Sequence, residues 1–443
     1  MSNAEDRALP EPSRGLPVVT KGPRAISLLG RQLPVTRLLA TGLRMGAMGV
    51  RLIGLVVLAR FMTPQEYGEF AFVVAFGAFA GFVIGAELYT RTIFKISNRK
   101  VSDWSPFVSR QYSAVFRILL FAWMVAGGIS LFDGGGIPVW IIAIATSDLL
   151  NLENNRMLVI AKNHAVTSGM LFVRQLLWLG LSFAFLTNET FVNPTNAVLC
   201  AWLVAGLFSA AVSMVRLRAL GLRLVWVRLS GRLMATLISA SAMMLLSGLA
   251  IRGLISLDKI VLGLSDLHGV LPAYAFFAAL AFAIVPVMEN AVFIYLMPEL
   301  VGAAAIKDWK NFVRHMRRAA LLVSSIAIIY SVIMIPFSDV VLEWIGHPYY
   351  RGKLAVFYLL LAASVTYVLA MVGYYGVYAL RQSRLLFLNN AIALLLCHVV
   401  YFVLWFHGVT LAMPLAMFAA MLLLLIINVR TFLRACSREG IIV

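Results

Sequence analysis

Apolar runs of roughly twenty or more residues recur along almost the whole chain, separated by short polar breaks. Hydrophobic residues make up 62% of the 443 positions and charged residues only 13%, whereas soluble domains are about 45–50% apolar and about a quarter charged. A soluble fold of this length could not cover so much hydrocarbon, because many residues of any globule face water. The runs are long enough to cross a bilayer as helices and do not show the short alternation of an outer-membrane barrel. The sequence therefore predicts an all-α integral membrane protein.

About twelve such runs can be placed as transmembrane helices. They lie near residues 36–61, 67–90, 111–132, 137–160, 165–187, 196–216, 234–263, 271–297, 316–337, 354–379, 385–406 and 409–430. A basic stretch at 216–232 separates six helices from six, so we expect an N-terminal lobe over 34–228 and a C-terminal lobe over 229–443. Residues 1–33 are rich in Pro, Arg and Ser and lack the apolar core of a signal peptide, which predicts a disordered cytoplasmic tail.

Basic residues are distributed unevenly between the two sides of this topology. With loops assigned alternately, the side that holds the N-terminus carries about 28 of the 37 Lys and Arg residues and the opposite side about five. The positive-inside rule then places both termini in the cytoplasm. Because topology accounts for the net charge of +18, no nucleic-acid partner is expected.

The sequence carries no motif for metal, nucleotide or catalytic chemistry. The three cysteines, Cys200, Cys397 and Cys436, lie far apart without a CxxC pair, so neither a zinc site nor a disulfide framework is indicated. No P-loop appears, and no cluster of metal ligands does either. We therefore predict no cofactor, no metal site and no enzymatic activity; any transport would be driven by substrate or ion gradients.

One segment of the first half has a counterpart in the second. Leu58–Phe72 aligns without gaps with Leu262–Phe276, and each comprises a helix end, a short turn and the start of the next helix. An even number of helices in each half implies parallel repeats related by an axis along the membrane normal. Binding sites in such folds lie between the halves.

Three segments resemble a known family. VVLARFMTPQEYGEFAF (56–72), SLDKIVLGLSDLHGVLPAYAFFAAL (256–280) and WIGHPYYRGKLAVFYLL (344–360) are similar to the helix 1–2 junction, the helix 7–8 junction and the loop before helix 10 of the polysaccharide flippases. These are the O-antigen and exopolysaccharide, or Wzx-type, flippases of the MATE-like MOP superfamily. The chain departs from the family pattern at Pro272-Ala273-Tyr274, where relatives have Gly before the Tyr, and at His268.

The resemblance implies a function. It predicts two six-helix lobes that rock about a central cavity and move an undecaprenyl-pyrophosphate-linked oligosaccharide across the bacterial inner membrane. The first, second, seventh and eighth helices would line that cavity. A polysaccharide polymerase and chain-length proteins would be the protein partners, and the phospholipid bilayer the surrounding solvent.

Arginines within the first helix are the sharpest signal in the residues themselves. Arg37, Arg44 and Arg51 recur every seven residues, and two helical turns return nearly to the same azimuth, so they are expected to form one basic stripe. An unpaired ion in hydrocarbon costs about 3 kcal/mol or more, so intramembrane ions generally mark substrate pathways. A guanidinium can bind phosphate oxygens with paired donors. Alternatively, Arg44 forms a structural bridge to Glu87 or Asp148.

Other charges of the first half have two interpretations each. Glu87 is four residues before Arg91, the spacing of an ordinary intrahelical pair, but it is also a candidate cavity acid. Asp148 begins a polar end of the fourth helix that continues through 151–155, either a relay for protons or cations or a solvated helix end. Arg117 and Arg174 either contact substrate or bridge Asp148.

The second half adds two cations and two acids. Arg252, Asp258 and Lys259 lie on the outer part of the seventh helix, and Glu289 lies on the eighth. Because Asp258 and Lys259 are adjacent, they are expected to point to different faces; they are either interface anchors or, as the resemblance implies, cavity residues. Pro286 and Pro298 bracket Glu289 and should bend that helix.

Rival functions remain. A MATE-like multidrug exporter or a lipid II flippase would share the architecture, although an exporter of cations should have an acidic cavity. A membrane polysaccharide polymerase or glycosyltransferase would be expected to carry a larger extramembrane loop with acidic catalytic residues.

Overall fold

The computed structural model describes residues 25–28, 31–96, 99–187, 193–265 and 269–441. Lipid offers no hydrogen bonds, so each apolar run pairs its backbone N–H and C=O groups within a helix. The helices of the first half, α1 to α7, are Val35–Phe61, Pro64–Gly85, Tyr89–Ile96, Ser105–Asp133, Ile137–Ile160, His164–Thr187 and Pro194–Ala219, with a 3₁₀ turn at Val101–Trp104.

The second half, α8 to α16, follows the same design with more interruptions. Its helices are Gly231–Leu264, Leu271–Ala281, Ile284–Met288, Ile294–Ala305, Trp309–Ile345, Pro348–Arg351, Leu354–Ala379, Ser383–Phe406 and Ala412–Arg438, with a π-helical turn at Glu289–Phe293 between α10 and α11. The all-α membrane class is confirmed.

The described residues contain ten helices long and apolar enough to cross a membrane, or eleven if the two limbs of α8 count as one span. These limbs, Gly231–Ser239 and Met244–Leu264, meet at an angle of 59°. The remaining predicted span is α5, whose second half carries many polar residues. These polar side chains are buried: Asn151, Glu153 and Asn154 are each 2–3% exposed. The expectation of a solvated end on this helix is therefore wrong.

The predicted tail lies largely outside the described residues. Within its range, Ala25–Leu28 and Arg31–Pro34 form β1 and β2, a short antiparallel pair in which Ala25 lies opposite Pro34. Seven of these eight residues fall within the tail predicted over 1–33. His268 and the side chains of Arg37 and Arg91 also lie outside the described part of the chain.

Two prolines interrupt the predicted eighth span. Proline lacks an N–H and its ring clashes with the carbonyl four residues earlier. Pro286 is four residues beyond Phe282, which directly follows the last residue of α9. Pro298 is four residues beyond Ile294, the first residue of α11 after the π-helical turn. The side chain of Asn290 reaches back to the Pro286 carbonyl at 2.8 Å. Glu289 therefore begins a π-helical turn, a local distortion common at functional sites.

The two halves contact each other at both ends of the bundle. At the predicted cytoplasmic end, the Thr41 and Tyr295 hydroxyls are 3.1 Å apart. At the opposite end, Arg60 Nη1 donates to the Trp344 carbonyl at 3.0 Å. The two segments that align with each other, 58–72 and 262–276, also meet: the Tyr67 and Phe276 rings pack edge to face.

Candidate functional site

A cavity of about 430 Å³ lies between the two halves. Its walls are built by α1, α2 and α7 from the first half and by α8, α9, α10 and α16 from the second, and most of the lining side chains are apolar or aromatic. Three charged side chains line it: Arg51, Asp258 and Lys259. The cavity therefore joins charges from both halves in an otherwise apolar chamber.

Arg51 supplies the uncompensated charge of this cavity. It lies sixteen residues from the start of α1, or about 24 Å along the helix axis, which is near the bilayer midplane. The residue is nonetheless exposed, and it lines the cavity. Its guanidinium lies 5.5 Å from the Trp202 ring centroid, and no described residue forms an ion pair or a hydrogen bond with it. Arg51 therefore presents free donors to the chamber.

Trp202 connects Arg51 to a charged pair behind the cavity wall. The indole Nε1 donates to Asp148 Oδ1 at 3.2 Å, and the Arg174 guanidinium lies 5.4 Å from the indole ring. Arg174 itself pairs with Asp148. Trp202 thus lies near two guanidiniums, of which one is neutralised by Asp148 and the other lines the cavity. The structure places Arg174 and Asp148 as partners of each other rather than on the cavity wall.

Asp258 and Lys259 form a pair, which corrects the expectation that neighbours on a helix point apart. Lys259 Nζ is 3.2 Å from Asp258 Oδ2 and donates to the Ile255 carbonyl at 2.9 Å. The Tyr274 hydroxyl also donates to Asp258, at 2.7 Å. A long lysine side chain can fold back over one turn, so adjacency does not prevent pairing. Because Asp258 neutralises Lys259, the net charge on the cavity wall is the single positive charge of Arg51.

Arg44 lies apart from Arg51. Its Nε donates to Ser168 Oγ on α6 at 3.1 Å, and it does not line the cavity. Seven residues separate the two arginines by about 10 Å along α1, which takes Arg44 beyond the end of the chamber. Of the two stripe arginines whose side chains the structure describes, Arg51 lines the cavity and Arg44 does not. The proposed bridge from Arg44 to Glu87 or Asp148 is absent among the described residues.

Arg117 binds the chain that connects the two halves. Its Nη1 donates to the Leu229 carbonyl at 2.7 Å and its Nη2 to the Val227 carbonyl at 3.3 Å. Arg117 therefore does not bridge Asp148, which pairs with Arg174, because the connection runs back along α4 and brings these carbonyls to it.

Glu87 belongs to a buried ionic network that the sequence did not reveal. Its Oε1 accepts from Arg156 Nη2 at 2.8 Å, and Arg156 Nη1 lies 3.2 Å from Glu153. Gln111 in turn donates to Glu153. Glu87 has φ 49° and lies in the turn between α2 and α3, and the side chain of Arg91, its predicted intrahelical partner, lies outside the described residues. The spacing of Glu153 and Arg156, three residues apart on one helix, was the only available signal.

Arg252 was predicted on the outer part of its helix, but it lies with Glu289 nearer the predicted cytoplasmic end of the seam. The Arg252 guanidinium lies 4.6 Å from the centroid of the Phe82 ring on α2, and it interacts electrostatically with both Glu87 and Glu289. Glu289 lines a second cavity of about 110 Å³. The polar residues that share this cavity with it are Tyr367, Tyr374, Tyr375, Asn390 and Asn428. In the part of the chain described, Glu289 has no hydrogen bond and no ion pair, and no three His, Cys, Asp or Glu side chains cluster to hold a metal.

The fold is similar to those of solved transporters. A MATE transporter from Vibrio cholerae, in its bent form, gives a TM-score of 0.50 at 14% identity, covering 92% of this chain and 98% of that one. A MOP superfamily transporter from Pyrococcus furiosus, described for the reverse polarity of its binding pocket, gives 0.49 at 12% identity, over 91% and 95% of the two chains. An inward-facing multidrug resistance MATE transporter gives 0.49 at 12% identity, over 93% and 96%.

The similarity in amino-acid sequence is weaker than the similarity in fold. No protein-family model matches it, and no curated protein does. The similarity is therefore one of fold, over nearly the full length of both proteins. The chain has a fold similar to that of the MATE transporters.

Proposed function

We propose that this protein is a transporter that moves a lipid-pyrophosphate-linked oligosaccharide across the bacterial inner membrane by alternating access, with both termini in the cytoplasm. The observation that carries the proposal is the unpaired guanidinium of Arg51 in a chamber between the two halves. A guanidinium in a site of low dielectric binds phosphate oxygens strongly and with defined geometry. The Wzx-type likeness of the helix junctions supports the glycan-linked cargo.

The position of the chamber supports the rocking mechanism. The halves are in contact at both ends, through Thr41 and Tyr295 at one and Arg60 and Trp344 at the other. Opening either contact while keeping the other would expose the chamber to one side at a time. The sugars would occupy the cavity, and the polyprenyl tail would remain in lipid. A polymerase and chain-length proteins would receive the product.

The multidrug exporter is less well supported by this cavity. A cationic drug requires a free acid, and the acids nearest the chamber are engaged. Asp258 accepts from both Lys259 and Tyr274, and Asp148 pairs with Arg174. A lipid II flippase shares the pyrophosphate chemistry and differs only in the sugar.

The substrate's charge is the first test. In liposomes containing the full-length protein, we expect a fluorescent undecaprenyl-pyrophosphate oligosaccharide to be translocated at least about tenfold faster than the same glycan on uncharged polyprenol. One charge-assisted hydrogen bond contributes about 1.5–3 kcal/mol, and 1.4 kcal/mol is tenfold. A membrane-impermeant quencher would follow the translocation. Equal rates for both lipids would contradict the proposal.

Glu289 is the proposed coupling acid, because its carboxylate lies without an ion pair among the described residues at the distorted turn of the eighth span. Replacing it with Gln is expected to leave cargo binding within about twofold of the wild type. The transport rate should no longer respond to an imposed proton or sodium gradient. The matched control is Glu343→Gln, which removes an exposed acid outside both cavities. If E289Q responds to the gradients as the wild type does, Glu289 has no coupling role.

A further inference from the structure

The connection between the halves, residues 220–230, begins with a turn at Leu220 and Gly221 and then runs along α4; we refer to it as the strap. Backbone N–H groups of alternate strap residues donate to serines spaced four apart on the helix. The pairs are Arg223 to Ser105 at 3.1 Å, Val225 to Ser109 at 3.0 Å and Val227 to Ser113 at 3.0 Å. Two residues of extended chain advance about 6.6 Å and four residues of helix about 6.0 Å. The strap and α4 therefore stay in register over the three hydrogen bonds.

Arg117 fixes the far end of the strap. Its guanidinium donates to the carbonyls of Val227 and Leu229, and it lies 5.5 Å from the Trp226 ring centroid. The Trp226 ring packs edge to face on Phe116, with ring centroids 5.4 Å apart. Both N–H and C=O groups of the strap are therefore bound to α4, so its conformation is set by that helix.

This docking divides the strap into two faces. The inward face is apolar: Leu222 and Leu229 are buried in clusters of the first half, and Leu224 and Val227 pack against the same clusters. The outward face places two apolar residues between two arginines: Arg223, Val225, Trp226 and Arg228. Val225 is 65% exposed and Trp226 56% exposed. An exposed Val-Trp pair of this kind has no partner within the described part of the chain beyond Phe116 and Arg117.

The outward face adjoins the lipid-facing surface of the bundle. Phe116, on which Trp226 packs, is 54% exposed. The exposed apolar surface continues along α4 with Leu120 and Phe121. Such an apolar surface on a spanning helix faces acyl chains. The strap lies at the end of α4 that is predicted to be cytoplasmic. From 216 to 232 the chain has five arginines and no acid. Tryptophan favours the membrane interface, and basic residues there attract anionic headgroups.

We propose that the strap is a binding site for anionic phospholipid of the cytoplasmic leaflet. Trp226 and Val225 contact the lipid at the membrane interface, and Arg223 and Arg228 bind headgroup phosphates on either side of them along the strap. The serine ladder on α4 holds the four outward residues in place. The site is separate from the central cavity, and it ties the connection between the halves to the membrane surface.

Lipid retention by the purified full-length protein tests the site. Native mass spectrometry would count phosphatidylglycerol retained from mixed micelles with phosphatidylcholine. The double variant Arg223→Gln, Arg228→Gln should lower the affinity for phosphatidylglycerol on the order of tenfold, since each basic residue near an anionic surface contributes severalfold. The matched control is Arg434→Gln, Arg438→Gln, which removes two exposed arginines from α16. An equal loss in both variants, or none in either, would overturn the proposal.

A second measurement locates the outward face independently of those variants. Val225→Cys labelled with a fluorophore should be quenched by lipids brominated near the headgroup in phosphatidylglycerol vesicles. Adding Ser109→Ala and Ser113→Ala removes two rungs of the ladder and should reduce that quenching at least about twofold, as the strap loses its fixed position. A label that is accessible to aqueous iodide but not to brominated lipid would show that the strap faces water, and the lipid site would then be rejected. Neither measurement depends on transport or on the identity of its cargo.

Discussion

Replacing Arg51 with Ala is expected to lower transport of the pyrophosphate-linked cargo roughly 10- to 100-fold, the loss that follows from removing a charge-assisted bond of about 1.5–3 kcal/mol. The same change should leave the unfolding temperature unchanged or raise it. Arg51 has no acidic partner among the described residues, and its aromatic contact to Trp202 is long. An uncompensated charge inside a protein costs stability, so its removal should not destabilise the fold. Transport in proteoliposomes and thermal unfolding in detergent measure the two effects.

Two further variants sharpen this prediction. Arg51→Lys retains the charge but loses the planar donors that bind phosphate in pairs, so its transport rate should be intermediate. Arg434→Ala removes an exposed arginine far along α16 and should transport as the wild type does. If R51A transports normally while its unfolding temperature falls, Arg51 is a structural residue and the anionic cargo loses its main support.

The fold class follows from the sequence because lipid leaves few alternatives. Every apolar run must be a helix, so the hydropathy pattern predicted the positions of most helices, of which ten or eleven in the described residues are long and apolar enough to cross a membrane. The interruption near Glu289 was also predictable, because Pro286 removes the hydrogen bond to the Phe282 carbonyl wherever the helix lies. Helix boundaries outside the membrane were harder to predict from the sequence. Residues 309–345 form one helix, against 316–337 expected, because hydropathy does not register the polar turns at its start.

The pairing of charges was not predictable, because it depends on which helices become neighbours. Asp148 and Arg174 are 26 residues apart on different helices, and no spacing rule relates them. Arg117 donates to carbonyls of the strap, which lie within reach only because the strap runs back along α4. The sequence indicated Arg51 as a site residue through its depth, and it equally indicated Arg44, which packs against α6. Depth in the bilayer identifies candidate residues; the direction of each side chain decides among them.

Breaking the ion pair of Asp148 and Arg174 is expected to have the second large effect, on the free energy of unfolding. Asp148→Asn alone is expected to destabilise the protein by about 3–5 kcal/mol, because it leaves the guanidinium of Arg174 without its counter-charge in a site that is only 11% exposed. Arg174→Gln alone should cost a similar amount for the converse reason. The double variant, Asp148→Asn with Arg174→Gln, leaves no net charge and should recover much of the loss. Thermal and denaturant unfolding in detergent would close the cycle.

Transport by the double variant separates the two roles that the sequence left open for Arg174. If the pair only holds Trp202 against Arg51, the double variant should fold and keep a substantial part of the transport rate. The amide introduced in place of the Asp148 carboxylate still offers an oxygen to the indole Nε1, where the present bond is 3.2 Å long. If Arg174 contacts cargo, the double variant would be as stable but would transport no better than R51A. Additive losses of stability, with no recovery in the double variant, would contradict the ion pair itself. A neutral pair that supports transport would leave Arg51 as the positive charge that the cavity offers to phosphate.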